Sequence, residues 1–181
     1  MELMVVLVIL GLVASLVVPR FAAASGRAAL KSGARDVITT LGHARNQATA
    51  EGRSYRVEMD PSSGEFFMSC FDPEEDSEEP YVPYVGILGG TQRLPTGVSF
   101  AHVAVGEDAG GVDTPGGSDT ADSSGKVYIR FSPDGTADQA VVIVASENAE
   151  DITLTLDQFT GRARVLEPEE AKELRDELGL D

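Results

Sequence analysis

The chain has 181 residues and a formal net charge of −16, with 30 Asp or Glu against 14 Lys or Arg. This length supplies one hydrophobic core and excludes two full-sized ones. The acidic excess disfavours nucleic acid and anionic surfaces as partners, because like charges repel. Cys70 is the only cysteine, which excludes an intrachain disulfide, and we expect it to be a small buried hydrophobic residue.

An apolar run opens the chain, with one carboxylate, Glu2, at its start. Residues 3–18 would span roughly 24 Å as a helix, which is short of the ~30 Å hydrocarbon core of a membrane. The run continues beyond Pro19 into residues 21–24, so we predict a longer, slightly kinked helix that crosses the membrane. A cleaved signal peptide is the alternative, since residues 22–25 could mimic a cleavage site, although no basic residue precedes the run.

Residues 2–19, ELMVVLVILGLVASLVVP, closely resemble the N-terminal helix of type IV pilins and type II secretion pseudopilins. In that family a prepilin peptidase removes a basic leader, the new N-terminus is methylated, and a glutamate guides subunit docking. The resemblance places Glu2 at the docking glutamate. It also implies that residues of the following helix pack in a filament: Leu3, Val6, Leu7, Leu10 and Pro19. The leader is missing from the sequence, and we expect the upstream DNA to encode it in frame.

An amphipathic helix is predicted to follow over residues 30–52, ending near Gly52. Its apolar or small positions form one stripe that we expect to pack on a sheet: Leu30, Ala34, Val37, Ile38, Leu41, Ala44 and Ala48. Arg27, Lys31 and Arg35 share another face at four-residue spacing. That face is either solvated or paired with lipid phosphates or acidic neighbouring subunits.

After Gly52 the apolar pattern changes from the helical period to the strand period. Residues 55–59 and 65–71 predict a β-hairpin around the turn at 61–64. Five further strand candidates follow, at residues 97–105, 126–131, 139–145, 151–156 and 162–166. The pattern predicts an α+β fold in which a long N-terminal helix packs on one or two antiparallel sheets.

We therefore divide the chain into a transmembrane and filament helix at residues 1–29 and a periplasmic globular domain at residues 30–181. The domain comprises the helix at 30–52, a β-rich part at 53–167 and an acidic tail at 168–181.

Three segments of the C-terminal half resemble the GspH/FimT family of pseudopilins: VYIRFSPDGT at 127–136, ITLTLD at 152–157 and TGRARV at 160–165. The resemblance implies a minor pseudopilin, a structural subunit at or near the tip of the type II secretion pseudopilus that acts in protein export. Such a subunit is held in the bacterial inner membrane by a single pass, with its domain in the periplasm. The implied partners are other pseudopilins, the inner-membrane secretion platform, the prepilin peptidase and the lipid bilayer.

A second function stays open, because residues 161–164 match the Gly-Arg-x-Arg motif of DNA-binding FimT-like minor pilins. In that case Arg162 and Arg164 would contact DNA during its uptake. Seven acids in the last fifteen residues follow the motif closely and would repel phosphates. The sequence therefore favours secretion, and we do not expect nucleic acid as a partner.

Enzyme and metal signatures are missing from the sequence. Two acidic stretches, residues 72–80 and 106–125, lack the ordered spacing of a calcium loop, and we expect solvated loops there. His43 and His102 have no companion ligands at metal spacing, and no serine lies in a nucleophile motif. We predict no catalytic residue, cofactor or metal, and we place His43 on or beside the contact between the helix and the sheet.

Overall fold

The computed structural model describes residues 2–74, 80–106, 125–147 and 149–179, without the side chains at 2, 3, 5, 7, 8, 11 and 13–24. Helix α1 is Glu2–Glu51 and helix α2 is Pro168–Leu178. The strands are β1 Tyr55–Asp60, β2 Glu65–Phe71, β3 Tyr81–Pro83, β4 Gln92–Arg93, β5 Val98–Val105, β6 Val127–Phe131, β7 Ala140–Ser146, β8 Ala149–Asp157 and β9 Arg162–Val165.

Helix α1 runs without interruption through the apolar and the amphipathic halves of the sequence. It passes Pro19 and ends before Gly52, which has a left-handed φ of 64°. Glycine adopts that conformation without the steric cost that a Cβ brings, so it stops a helix cleanly. The end predicted at Gly52 is confirmed.

Two antiparallel sheets form the β-rich part. The first has the order β3-β2-β1-β6, with the short β4 also paired to β2, and the second has the order β5-β7-β8-β9. All seven strands that the alternation predicted are present. Strands β3 and β4 were missed. Strand β3 also contacts the first sheet through Arg56, whose guanidinium lies 4.4 Å from the centroid of the Tyr81 ring.

The core lies between the second half of α1 and both sheets. The predicted stripe of α1 supplies most of the helix side of the core, and its members from Leu30 to Ala48 are buried apart from the partly buried Ile38. The sheets supply alternate residues such as Tyr55, Val57 and Met59, which are fully buried. The α+β fold class predicted from the sequence is confirmed.

Within the acidic tail predicted at 168–181, residues 168–178 form helix α2, which the sequence reading did not predict. Pro168 stands in the first turn, where a missing N–H costs nothing, and Gly179 ends the helix with a φ of 67°. Leu174 and Leu178 pack on a small apolar cluster of the second sheet formed by Ala104, Val141 and Ile143. The acids of this segment are therefore carried on a helix that lies against the sheet.

Parts of both acidic stretches fall outside the described residues. Of the stretch at 72–80, residues 75–79 are not described, and of the stretch at 106–125, residues 107–124 are not described. The backbone N–H of Asp72 donates to the carbonyl of Pro80 over 2.8 Å, which fixes both ends of the first stretch beside β3.

Candidate functional site

The described side chains in the apolar half of α1 are uncovered. Leu30 is the first core residue of the helix, and Met4, Val6 and Leu10 are 75%, 49% and 59% exposed. A contiguous apolar surface of this kind on a chain marks a place of contact with other molecules or with lipid. Among the described residues we find no helix with the length and apolarity that a membrane crossing requires.

The structure places the predicted docking and packing residues on one helix. Glu2, Leu3, Leu7 and Pro19 lie on α1, but their side chains are outside the described part of the structure. Val6 and Leu10 are described, and both are exposed. Their role in docking or filament packing stays a prediction.

The predicted basic face of α1 is exposed at Arg27, Lys31 and Arg35. Arg27 and Lys31 lie on the wall of a groove of about 1100 Å³ between α1, strands β8 and β9, and α2. The opposite wall includes Lys172 and Arg175 from α2. Arg175 is held there by the hydroxyl of Thr153 at 3.0 Å and by Asp151 at 3.5 Å.

The arginines of the Gly-Arg-x-Arg motif lie on β9, an edge strand of the second sheet. Both side chains are exposed, and Arg164 forms an ion pair with Glu170 of α2 at 3.4 Å. A pair this exposed contributes little to stability. The pair matters for the local charge, because it places the acidic helix α2 beside Arg162 and Arg164.

Arg45 of α1 joins the two turns that carry the family resemblance. Its Nε donates to the carbonyl of Thr160 over 2.6 Å. Gly135 and Gly161, the glycines of the two motifs, have φ values of 88° and 58°. A Cβ on Gly161 would lie 2.5 Å from the carbonyl oxygen of Gly135 and 3.0 Å from Cδ of Arg45. Gly161 is therefore required by the close packing of the two turns, whereas Gly135 is favoured by its positive φ.

Sequence reasoning missed Arg45, because its partner is a main-chain carbonyl 115 residues away. The available signal was indirect. Gly135 and Gly161 each lie in a turn motif. A glycine at such a position indicates a backbone with left-handed φ or a close contact with another part of the chain.

Aromatic and polar side chains form a second contact between α1 and the first sheet. Gln47 donates to the hydroxyl of Tyr84 over 2.7 Å, and the ring of Tyr84 lies 5.6 Å from that of Tyr55. Tyr55 in turn donates to Glu51 over 2.6 Å, and its burial raises the pKa of the phenol. His43 lies 6.0 Å from the Tyr84 ring, at the helix–sheet contact where we predicted it.

The described acids do not gather at a metal site. Within residues 2–74, 80–106, 125–147 and 149–179 no group of three or more His, Cys, Asp and Glu is arranged to hold a metal ion. Asp60, Asp134 and Asp157 instead accept hydrogen bonds from the turn that follows each of them, which lowers the pKa of each carboxyl. One oxygen of each carboxylate therefore accepts hydrogen bonds from its own turn.

A long N-terminal helix packed on two antiparallel sheets is the type IV pilin-like fold. Two solved structures of the minor pseudopilin EpsH from the type II secretion system of Vibrio cholerae share it. One superimposes with a TM-score of 0.58 at 14% identity, covering 80% of this chain and 96% of that one. Another gives 0.56 at 11% identity, covering 77% and 97%. No curated protein sequence matches.

The family itself is shown by the sequence. Residues 33–165 match the family model described as type II transport protein GspH. The chain belongs to the GspH family, and the match takes in the second half of α1, both sheets and the arginines of β9. Helix α2 lies beyond the matched residues.

Proposed function

We propose that this protein is a minor pseudopilin, a structural subunit at or near the tip of the type II secretion pseudopilus that acts in protein export. One observation carries the proposal. The apolar half of α1 extends from a GspH-family domain, and its described side chains are uncovered. Burying such a surface requires a membrane or other helices.

The proposal assigns a cellular location to each part of the chain. Residues 1–29 lie in the inner membrane before assembly and among the helices of other pseudopilins afterwards. The domain lies in the periplasm, above the inner-membrane secretion platform. A prepilin peptidase would act before Glu2, and the new N-terminus would be methylated. The protein has no catalytic role in this scheme.

Glu2 provides the test. In an apolar setting a carboxylate requires an opposite charge, and the N-terminal amine of a neighbouring subunit would supply one. We expect Glu2→Ala to leave the domain folded, because the core begins at Leu30, and to abolish incorporation into the filament. The measurement is secretion of an exported enzyme by a deletion strain that carries the variant, with protein levels checked by immunoblot.

Ser15→Ala is the matched control, since it removes a polar group from the same apolar run without removing a charge. It should restore secretion as the unaltered chain does. Full secretion with Glu2→Ala would show that Glu2 does not guide docking.

DNA binding is the second candidate, and the exposure of Arg162 and Arg164 on an edge strand favours it. Two observations weigh against it. Arg164 is already paired with Glu170, and α2 carries further acids along the same edge, at Glu169 and Glu173. A DNA phosphate would have to displace one carboxylate and approach the others.

A further inference from the structure

The groove between α1 and α2 is basic, although the chain as a whole is strongly acidic. Among the described residues, four basic and three acidic ones line it, which leaves a charge of +1, against −16 for the whole chain. The basic residues are Arg27, Lys31, Lys172 and Arg175, and the acidic ones are Glu150, Asp151 and Glu167. The acidic excess that repels anionic surfaces elsewhere on the molecule is therefore reversed at this place.

Three of the four cations are available to a ligand. Arg27, Lys31 and Lys172 are exposed, and within the part of the chain that the structure describes none of them forms an ion pair. Arg175 differs, because it is paired with Asp151 at 3.5 Å. Its Nε is buried without a hydrogen-bond partner among the described groups, so its guanidinium keeps unused donor capacity. The groove therefore presents three unpaired cations, two from α1 and one from α2.

The lining of the groove is also apolar. Leu30, Leu166 and Ala171 are buried residues of this lining, and Val165 lines the groove with about half of its surface exposed. A small inorganic anion would pair with the cations but would leave the apolar side chains uncovered. The combination suits a ligand that has both an anionic group and an apolar body, which is the chemistry of an anionic phospholipid.

The position of the groove along α1 indicates where such a ligand comes from. The twenty-two residues from Leu3 to Ala24 rise about 33 Å as a helix, which matches the ~30 Å hydrocarbon core of a bilayer. Arg27 and Lys31 follow Ala24 by three and seven residues, so they lie about 4.5 and 10.5 Å beyond it along the axis. The headgroups occupy roughly the first 5–8 Å outside the core. The two cations therefore bracket the level of the lipid phosphates.

The basic residues of the groove all lie outside the part of the chain that matches the GspH family model. The match covers residues 33–165, so Arg27 and Lys31 precede it and Lys172 and Arg175 of α2 follow it. The family assignment therefore does not imply this site.

We propose that the groove binds the headgroup of one anionic phospholipid from the leaflet that faces the domain. The phosphodiester pairs with Arg27, Lys31 and Lys172, and the glycerol lies on Leu30 and Val165. The proposal rests on the proposed function, because only a chain anchored through α1 holds the groove at the level of the phosphates. This contact keeps the domain on the membrane surface until the subunit enters the filament.

The test is lipid binding by the purified full chain in detergent, measured by native mass spectrometry. Phosphatidylglycerol and phosphatidylcholine with the same acyl chains are titrated separately, so that the headgroup is the only difference. We expect one phosphatidylglycerol to bind roughly 10-fold more tightly than phosphatidylcholine. Lys31→Glu with Lys172→Glu should remove this preference. Both residues are exposed, so the variant should fold, and its melting temperature checks this.

Arg35→Glu with Arg162→Glu is the matched control. It changes the net charge of the chain by the same amount, and both residues are exposed cations outside the groove lining. It should keep the preference for phosphatidylglycerol. Equal losses in the two double variants would show a general effect of charge and would overturn the proposal. A preference that survives Lys31→Glu with Lys172→Glu would also overturn it.

Two further measurements test the source of the anion. Glycerol phosphate in excess should not displace the lipid, because it lacks the apolar body, and displacement would assign the groove to a soluble phosphate instead. Recovery of another pseudopilin with this chain from cells is the second measurement. If the two lipids bind equally and this recovery falls with Lys31→Glu and Lys172→Glu, the groove is a protein contact and the proposal fails.

Insertion into vesicles separates this proposal from the proposed function. The full chain is reconstituted with vesicles of phosphatidylcholine, with or without phosphatidylglycerol, and flotation after alkaline extraction measures insertion. If the chain inserts but shows no preference for phosphatidylglycerol in the binding measurement, the lipid site fails and the pseudopilin assignment stands. If the chain inserts into neither kind of vesicle, the membrane anchor of the proposed function fails, and the lipid site fails with it.

Discussion

At the scale of single residues, the family motifs of this chain are explained by packing. Gly135 and Gly161 lie where two turns meet Arg45 of α1, and a side chain on Gly161 would collide with the backbone of Gly135. The sequence identified these glycines as turn residues. It could not show that they touch each other or that they share a helix residue, because those contacts depend on how the sheets are placed.

We predict that Gly161→Ala lowers the free energy of unfolding more than Gly97→Ala does. Both glycines have positive φ, at 58° and 79°, and an L-residue there costs about 1–2 kcal/mol. A Cβ on Gly97 has no neighbour within 4 Å, whereas one on Gly161 is overpacked, which adds about 1–3 kcal/mol. Urea unfolding of both variants measures the difference. Equal losses of unfolding free energy in the two variants would show that the turn at Gly161 relaxes around the added Cβ without cost.

Asp60 makes stability depend on pH in the acid range. It accepts hydrogen bonds from the backbone and hydroxyl of Ser62 at 2.9 and 2.6 Å, which lower the pKa of the carboxyl from 3.8 to about 2. Since the folded pKa lies below the unfolded one, the stabilisation is complete above 3.8 and is lost as the pH falls towards 2. We expect Asp60→Asn to flatten this part of the melting temperature profile.

The measurement is the melting temperature of the unaltered protein and of the Asp60→Asn variant, at several pH values between about 2 and 5. An unchanged slope with Asp60→Asn would show that the turn does not favour the charged carboxyl.

At the scale of secondary structure, periodicity predicted the long elements and missed the short or highly charged ones. The stripe from Leu30 to Ala48 and the alternation in β1 and β2 follow the physical periods of helix and strand. β3 and β4 have three and two residues, too few for a period to appear. Their pairing is set by β2 and by Arg56, which lie elsewhere in the chain.

Helix α2 was obscured by its charge. Pro168 near its start, acids in its first turn, Arg175 in its last turn and Gly179 after it are all helix signals. Seven acids in the last fifteen residues led us to describe the segment only as an acidic tail. Ala171, Leu174 and Leu178 lie one turn apart, which is enough to hold a helix against the sheet.

We predict that Leu174→Ala lowers the free energy of unfolding by about 1–2 kcal/mol, less than a fully buried leucine would, because this side chain is partly exposed. Glu173→Ala, an exposed neighbour on the same helix, should change it by less than about 0.5 kcal/mol. Thermal unfolding of the two variants provides the comparison. An effect of Leu174→Ala no larger than that of Glu173→Ala would show that α2 contributes nothing to the domain.

At the scale of the whole molecule, charge is unequally divided. Residues 1–56 carry seven Lys or Arg against three Asp or Glu, so the strongly negative charge belongs to the remaining 125 residues. This division was read correctly from the sequence. The sequence also placed acids close to the arginines of β9, and Glu170 pairs with Arg164 there. It did not show that α2 brings Lys172 and Arg175 to the groove lined by Arg27 and Lys31.

The domain from Lys31 to Asp181 is expected to be soluble and monomeric and to bind duplex DNA weakly or not at all at physiological salt. Only two arginines of β9 are offered to a phosphate, and salt weakens each contact. The measurement is a titration with labelled DNA near 150 mM salt, with Arg162→Ala/Arg164→Ala as the comparison. Micromolar binding that the double variant loses would make DNA uptake the better assignment.

The uninterrupted α1 also has a mechanical consequence. Its buried stripe from Leu30 to Ala48 runs along the helix axis and contacts strands of both sheets. A pull on the N-terminal half of α1 acts parallel to this interface, so it loads the interface in shear. Every turn of the buried stripe then bears part of the force at the same time. Peeling the contacts one by one would require a force across the axis. If the chain acts as proposed, a filament that pushes or pulls through α1 would load the domain in its strongest direction.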